Sequence, residues 1–261
     1  MDPRIVFGVL ALATGVVAFM FARRTRRNIH AMIGAETLPV AELEDLHRTA
    51  VEVAGPGGFR RVCEVVGTAQ PGPHGLLEAE LSGIKCIWHR HTVQRRYDHV
   101  SCDSRGNRQT RTQHETVAAL ASEQPFAVAD ATGAVLVRPD GTHPDGAEKV
   151  VSRFERNTNR IGAGRKILGM LVPLLERDDT IGFVYTEWVL RAGAQLYVHG
   201  EASDRYGELA FGKPEQGLFL ISTRTEAEVK ASSVRKQKLL AFGGLGAAVL
   251  GIVLLVLAAL G

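Results

Sequence analysis

Residues 126–137, FAVADATGAVLV, decide how the middle of this chain folds. Two short apolar runs flank Asp130-Ala131-Thr132-Gly133, the pattern of two strands joined by a tight loop, with Gly133 expected at the positive φ that such a loop uses. Runs of the same kind recur on both sides, at residues 62–66, 76–81, 84–93, 135–137, 183–190, 196–198 and 218–221, separated by Gly, Pro, Asp and Asn. Arg191-Ala-Gly-Ala-Gln195 similarly joins the run holding Trp188 to the one holding Tyr197. Many short strands in one chain must hide their edges, and closure into a barrel does so best. The expected fold class is therefore mainly β (α+β), a small barrel-like domain for which an OB-like barrel is one form. Residues 37–53 read as a short amphipathic helix with Pro39 in its first turn, ended by Ala54-Gly55-Pro56-Gly57-Gly58. Residues 166–175 (KILGMLVPLL) fit a helix interrupted by Pro173 or a hydrophobic loop against a membrane.

Further out, the pattern changes. Residues 5–22 are 18 in number without a charge, and residues 239–261 are 23 without one. About 20 apolar residues in a helix cross the hydrocarbon core, where every backbone polar group must be paired internally. A cleaved signal would carry its positive charge ahead of the apolar run, whereas Arg23, Arg24, Arg26 and Arg27 follow it, so a retained anchor is expected. Gly243, Gly244, Gly246 and Gly251 suit close helix packing. Thr223-x-x-Glu226 is a capping box, and one continuous helix from Arg224 into the second span is expected. The division is thus an anchor at 1–22, a β-rich domain at 23–238 and a second transmembrane helix at 239–261. Lys230, Arg235, Lys236 and Lys238 precede that helix, so both basic clusters lie on the domain's side and predict a cytoplasmic domain.

Composition narrows function by exclusion. Hydrophobic residues make up 45% and charges nearly balance, at 28 acidic against 31 basic, which argues against extensive disorder. A net charge of +3 is too small to imply nucleic acid. Three cysteines cannot form a disulfide framework.

Three segments bear a family likeness: GIKCIWHRH (residues 83–91), EWVLRAGAQLYVHGE (187–201) and FLISTRTE (219–226). Together with the order span, β-rich domain, span, the chain resembles the GIDE family, also called the BAM ("beside a membrane") domain family. Its best known members are membrane-anchored RING-type E3 ubiquitin ligases of mitochondria and plastids. The resemblance implies a role in protein ubiquitination. A RING, however, needs two zinc sites of about eight Cys and His ligands. The sequence stops at Gly261, and Cys63, Cys86 and Cys102 form no Cys-x-x-Cys pair, so the expectation is a relative without the catalytic RING. In the mitochondrial members the domain is thought to face the intermembrane space, unlike the orientation expected here. A bacterial plasma membrane is the expected location, with an organelle membrane as the alternative.

No catalytic constellation is visible: there is no Gly-x-Ser-x-Gly and no phosphate loop, and Ile161-Gly-Ala-Gly-Arg165 fits a turn better than a dinucleotide fingerprint. Cys86, His89, His91, His99 and Cys102 crowd into 17 residues, with His89 and His91 on one strand face. They are candidate metal ligands, against which stands the positive field of Arg90, Arg95 and Arg96; Cys86 fits a small core residue better. No metal or other cofactor is assigned on that balance. Residues 90–111 are basic but hold one tyrosine, which fits a solvated loop or one touching anionic headgroups, not a nucleic-acid groove. Asp130, Asp140, Asp145, Glu187 and Glu201 read as carboxylates scattered beside turns. Three readings remain: a domain that binds a protein partner or substrate beside the membrane, a ubiquitin-transfer component served by a RING on another chain, and a metal or redox sensor.

Overall fold

The computed structural model describes residues 3–102, 107–156 and 179–260. Residues 161–165 and 166–175, read above as a turn and as a helix or membrane-facing loop, lie outside them. Helix α1 (Pro3–Ile33) leads to α2 (Val40–Ala54), followed by strands β1 (Arg60–Gln70), β2 (Leu77–Glu78), β3 (Lys85–Cys86), β4 (Trp88–Cys102) and β5 (Arg108–Ala121). Then come β6 (Phe126–Ala129), β7 (Ala134–Val137), β8 (Glu148–Arg156), β9 (Thr180–Leu190), β10 (Gln195–Ser203), β11 (Ala210–Gly212), β12 (Leu220–Ser222) and α3 (Glu226–Leu260).

The expected barrel is present. Strands β1-β6-β7-β11-β10 form a sheet that closes on itself through β1–β10, with β12 added to β10. All these pairs are antiparallel except β7–β11. Alternation drives Cys63, Val65 and Ala69 of β1 and Leu196, Val198 and Ala202 of β10 inward, where they meet Phe126, Val128, Val137 and Phe211. Helix α2 contributes Val40 and Leu43 to the same core.

The turn in residues 126–137 also does something the sequence did not announce. Asp130 Oδ2 accepts the Val40 N–H at 2.9 Å and Thr132 Oγ1 accepts the Ala41 N–H at 3.0 Å, so the β6–β7 turn caps α2 in place of its own N-cap residue, Pro39. Desolvation pushes the Asp130 carboxyl up, but hydrogen bonds from the Thr132 hydroxyl and the N–H groups of Val40, Thr132 and Gly133 outweigh it and hold it below the ordinary range. Gly133 does not have the expected positive φ. Its small size serves α2 instead, since a Cβ there would sit 3.0 Å from Val40 Cγ1.

A second, four-stranded antiparallel sheet runs β5-β4-β9-β8. Two sequence expectations are corrected here. The turn at 191–194 does not make a hairpin, because β9 lies in this sheet and β10 in the barrel. Gly193, at φ 85°, donates its N–H to Ala69 O at 2.8 Å, and Ala194 O accepts from Ala69, so the turn is tied to β1 and passes the chain between sheets. Within the basic stretch at 90–111, read above as a loop, residues 90–102 and 108–111 are strand. Beyond the end of β9, β4 and β5 continue as a paired ribbon from Asp98↔Thr112 to Cys102↔Arg108, exposed on both faces. Such a ribbon lacks the apolar alternation by which a half-buried strand is recognised.

The terminal helices are both long and apolar enough to cross a membrane. They run antiparallel, with Gly8 against Gly251 and Gly15 against Gly244; a Cβ on Gly15 would lie 2.9 Å from Gly244 O. Of the four glycines singled out in the second span, Gly244 and Gly251 face this seam, while Gly243 and Gly246 face open space. Helix α3 is continuous, as expected, but its capping box is Thr225-x-x-Glu228, not Thr223-x-x-Glu226: the Thr225 N–H donates to Glu228 Oε2 at 3.0 Å, and Thr225 Oγ1 accepts the Glu228 N–H at 3.3 Å. Thr223 is still engaged by the domain, through its N–H to Asp145 O at 2.9 Å.

Candidate metal centre

Strands β4 and β9 pair in register, with His89 opposite Val189 and His91 opposite Glu187. Period-two alternation puts His89, His91 and Val93 of β4 on one face with Phe183, Tyr185, Glu187 and Val189 of β9. On that face His89 is 7% exposed, His91 2% and Glu187 0%. One potential ligand atom from each of the three lies within 4.8 Å of the others.

The residues between β2 and β3 hold the carboxylate. The Leu81 N–H donates to Glu187 Oε1 at 2.8 Å and the Ser82 N–H to Oε2 at 2.9 Å. Each oxygen keeps a further lone pair. The imidazoles are treated differently: His89 Nδ1 and His91 Nδ1 are buried without a hydrogen-bond partner among the described residues. Glu80 Oε2 is 3.7 Å from His91 Nδ1, beyond hydrogen-bond reach, and its side chain is partly exposed. Burial, aided by the neighbouring His91, lowers the His89 pKa against the opposing pull of Glu80 and Glu187. The neutral form that results is the one that binds a cation.

The five residues flagged in the sequence separate. His89 and His91 are brought together with Glu187. Cys86 is buried with Ala79 and Val189. Its thiol is pushed up to about 11, first by burial and then by the Glu187 charge. His99 and Cys102 are exposed on the ribbon. At about 3.3 Å per residue, His99 lies roughly 26 Å along the strand from His91. The three neighbouring arginines are sorted by the same alternation. Arg90 and Arg96 alternate to the opposite face, and Arg95, though buried, is engaged by Asp179, by Glu115 at 3.3 Å and by Thr180 at 2.8 Å.

A second buried carboxylate cluster sits where the two long helices meet the barrel. Glu64 of β1, 1% exposed, accepts a hydrogen bond from the Tyr197 hydroxyl, one from Thr37 Oγ1 at 3.2 Å, and lies 3.3 Å from His199 Nδ1. Thr37 follows α1 and forms a bridge with Glu64, while Tyr197 is packed under Val229 of α3. Burial and then the bond to Glu64 raise the Tyr197 pKa, and burial lowers that of His199 against the pull of Glu64.

Glu187 is the functional candidate that sequence reading passed over as a turn carboxylate. Its signal was a lone acid at an inward position of an alternating strand, Phe183, Tyr185, Glu187, Val189, where an unpartnered charge is costly.

The architecture defines a class: a closed β-barrel with an attached sheet, suspended between two paired helices of membrane-crossing length. Residues 94–257 match the family GIDE, described as E3 ubiquitin ligase. That is more than half of the chain, and the protein belongs to the GIDE family. The match starts just past His91 and includes Glu187. Comparison with curated proteins and with solved structures found no match.

Proposed function

We propose that this chain is an integral membrane protein whose β domain binds a protein partner or substrate beside the bilayer. The observation that carries the reading is the mooring of the barrel at both ends on one cluster: Thr37 after α1 and Val229 at the root of α3 both close over Glu64 and Tyr197. At about 1.5 Å per residue, α3 is roughly 52 Å long, more than the ~30 Å hydrocarbon core requires, so its first turns carry the barrel beside the headgroups. The basic residues Arg23, Lys230, Arg235, Lys236 and Lys238 favour a domain on the cytoplasmic side, with a bacterial plasma membrane or an organelle membrane as its setting.

The test is affinity purification of the full chain from solubilised membranes, with quantitative mass spectrometry. Reproducible enrichment of a partner over a control carrying only the two helices is expected. Equal recovery in both arms would overturn the reading.

The family description favours a second reading, in which the domain selects substrates for ubiquitin transfer and the RING is supplied from outside these 261 residues. Reconstituted conjugation that proceeds unchanged without this chain would dispose of it.

A further inference from the structure

We infer that His89, His91 and Glu187 form a binding site for one divalent transition-metal ion of the zinc class. Three observations converge. The donor set is two imidazoles and a carboxylate, borderline ligands that suit zinc and its neighbours. Both Nδ1 atoms are more than nine-tenths buried and have no hydrogen-bond partner among the described residues, an arrangement that costs stability unless something occupies them. The carboxylate is already oriented by two backbone N–H groups at 2.8 and 2.9 Å, the kind of outer support that metal-binding carboxylates have.

Ligand atoms around a tetrahedral zinc lie roughly 3.3 Å apart, given zinc–ligand distances near 2.0–2.1 Å. The present separations, within 4.8 Å, close to that value with side-chain rotation. Register, not loop geometry, sets the site: His91 and Glu187 are directly opposed across the ladder, and His89 is one alternation along. Three protein ligands leave a fourth position of a tetrahedral site open to water or another ligand. Cys86 is not one of the ligands, so the site is an N/O site and not a thiolate one. This inference stands independently of partner binding.

The test uses the full chain in detergent, stripped with chelator and titrated with Zn2+ alone, then with Co2+ as a spectroscopic substitute. The wild type is expected to retain about one Zn2+ per chain through gel filtration. Co2+ should give visible d–d bands of a four- or five-coordinate site with no thiolate-to-metal charge-transfer band. His89→Gln and His91→Gln should each weaken binding at least about 100-fold. His99→Ala and Cys102→Ser should leave it unchanged. Sub-stoichiometric zinc in the wild type, a thiolate band, or wild-type affinity in the His89 and His91 variants would overturn the site. The spectrum and stoichiometry of the wild type decide the matter even if a variant fails to fold.

Discussion

Glu64 and Glu187 are two buried carboxylates on neighbouring sheets, each with histidine close by, and they are built to opposite ends. Around Glu64 every partner is engaged: Tyr197, Thr37 and His199 all direct polar atoms at it. Around Glu187 only the backbone has been satisfied, and the two imidazoles beside it are left with unpaired nitrogens. A complete network fastens elements together, here the two long helices to the barrel. An incomplete one in a buried site leaves polar atoms unpaired at a cost in stability, the feature on which the proposed metal site rests.

The largest test of this contrast is Glu64→Leu. It strands the Tyr197 hydroxyl and the His199 imidazole, and a loss of about 3 kcal/mol in unfolding free energy is expected from chemical denaturation. Next come matched histidine replacements in chelator-treated protein. His199→Leu removes a partner of Glu64 and should cost about 1 kcal/mol, while His91→Leu removes a buried nitrogen that has no hydrogen-bond partner among the described residues and should stabilise the metal-free protein by about 1 kcal/mol. Equal losses in the two variants would erase the distinction between the clusters.

A pH series sharpens it further. Burial holds His89 and His199 below the ordinary value of 6.5. The unfolded chain therefore takes up protons first as pH falls, so stability is complete above about pH 6.5 and is lost progressively below it. Melting curves between pH 7.5 and 5.5 should show that decline, and His89→Leu should make it shallower. Bound zinc should be released in the same direction, since its ligands must be unprotonated. The smallest effect expected is that of Thr225→Ala, about 0.5 kcal/mol from the lost cap, read as faster amide exchange in the first turn of α3 beside the Glu64 cluster.

What the sequence reveals of this molecule follows where burial is one-sided. Residues 126–137 and the two apolar ends are legible because one has the pattern of paired core strands and the others the length and apolarity of a membrane-crossing helix. Strand β5, β8 and the outer half of β4 are polar on much of both faces, so nothing local distinguishes them from loop. Assigning β9 and β10 to different sheets depends on Ala69 reaching the turn from β1, a contact far away in sequence. The candidate site divides in the same way. The pair His89 and His91 is visible from alternation alone, but Glu187 joins it through the register of two distant strands. The same alternation that unites the histidines carries Arg90 and Arg96 to the other face and leaves Arg95 on theirs, a division that a count of nearby charges does not make. At the root of α3, two overlapping Thr-x-x-Glu boxes compete, and the tie of Thr223 to Asp145 settles which one starts the helix.

The glycine seam between α1 and α3 joins two helices that lie on either side of the whole β domain in sequence. In the proposed membrane setting, α1 enters the bilayer long before the ribosome has made the residues that fit it. At a synthesis rate of about 5–20 residues per second, that interval is roughly 10–40 s. Everything in between is synthesised while the first helix waits alone in lipid, so the pairing of Gly15 with Gly244 is a late checkpoint, passed only after the whole β domain has been made.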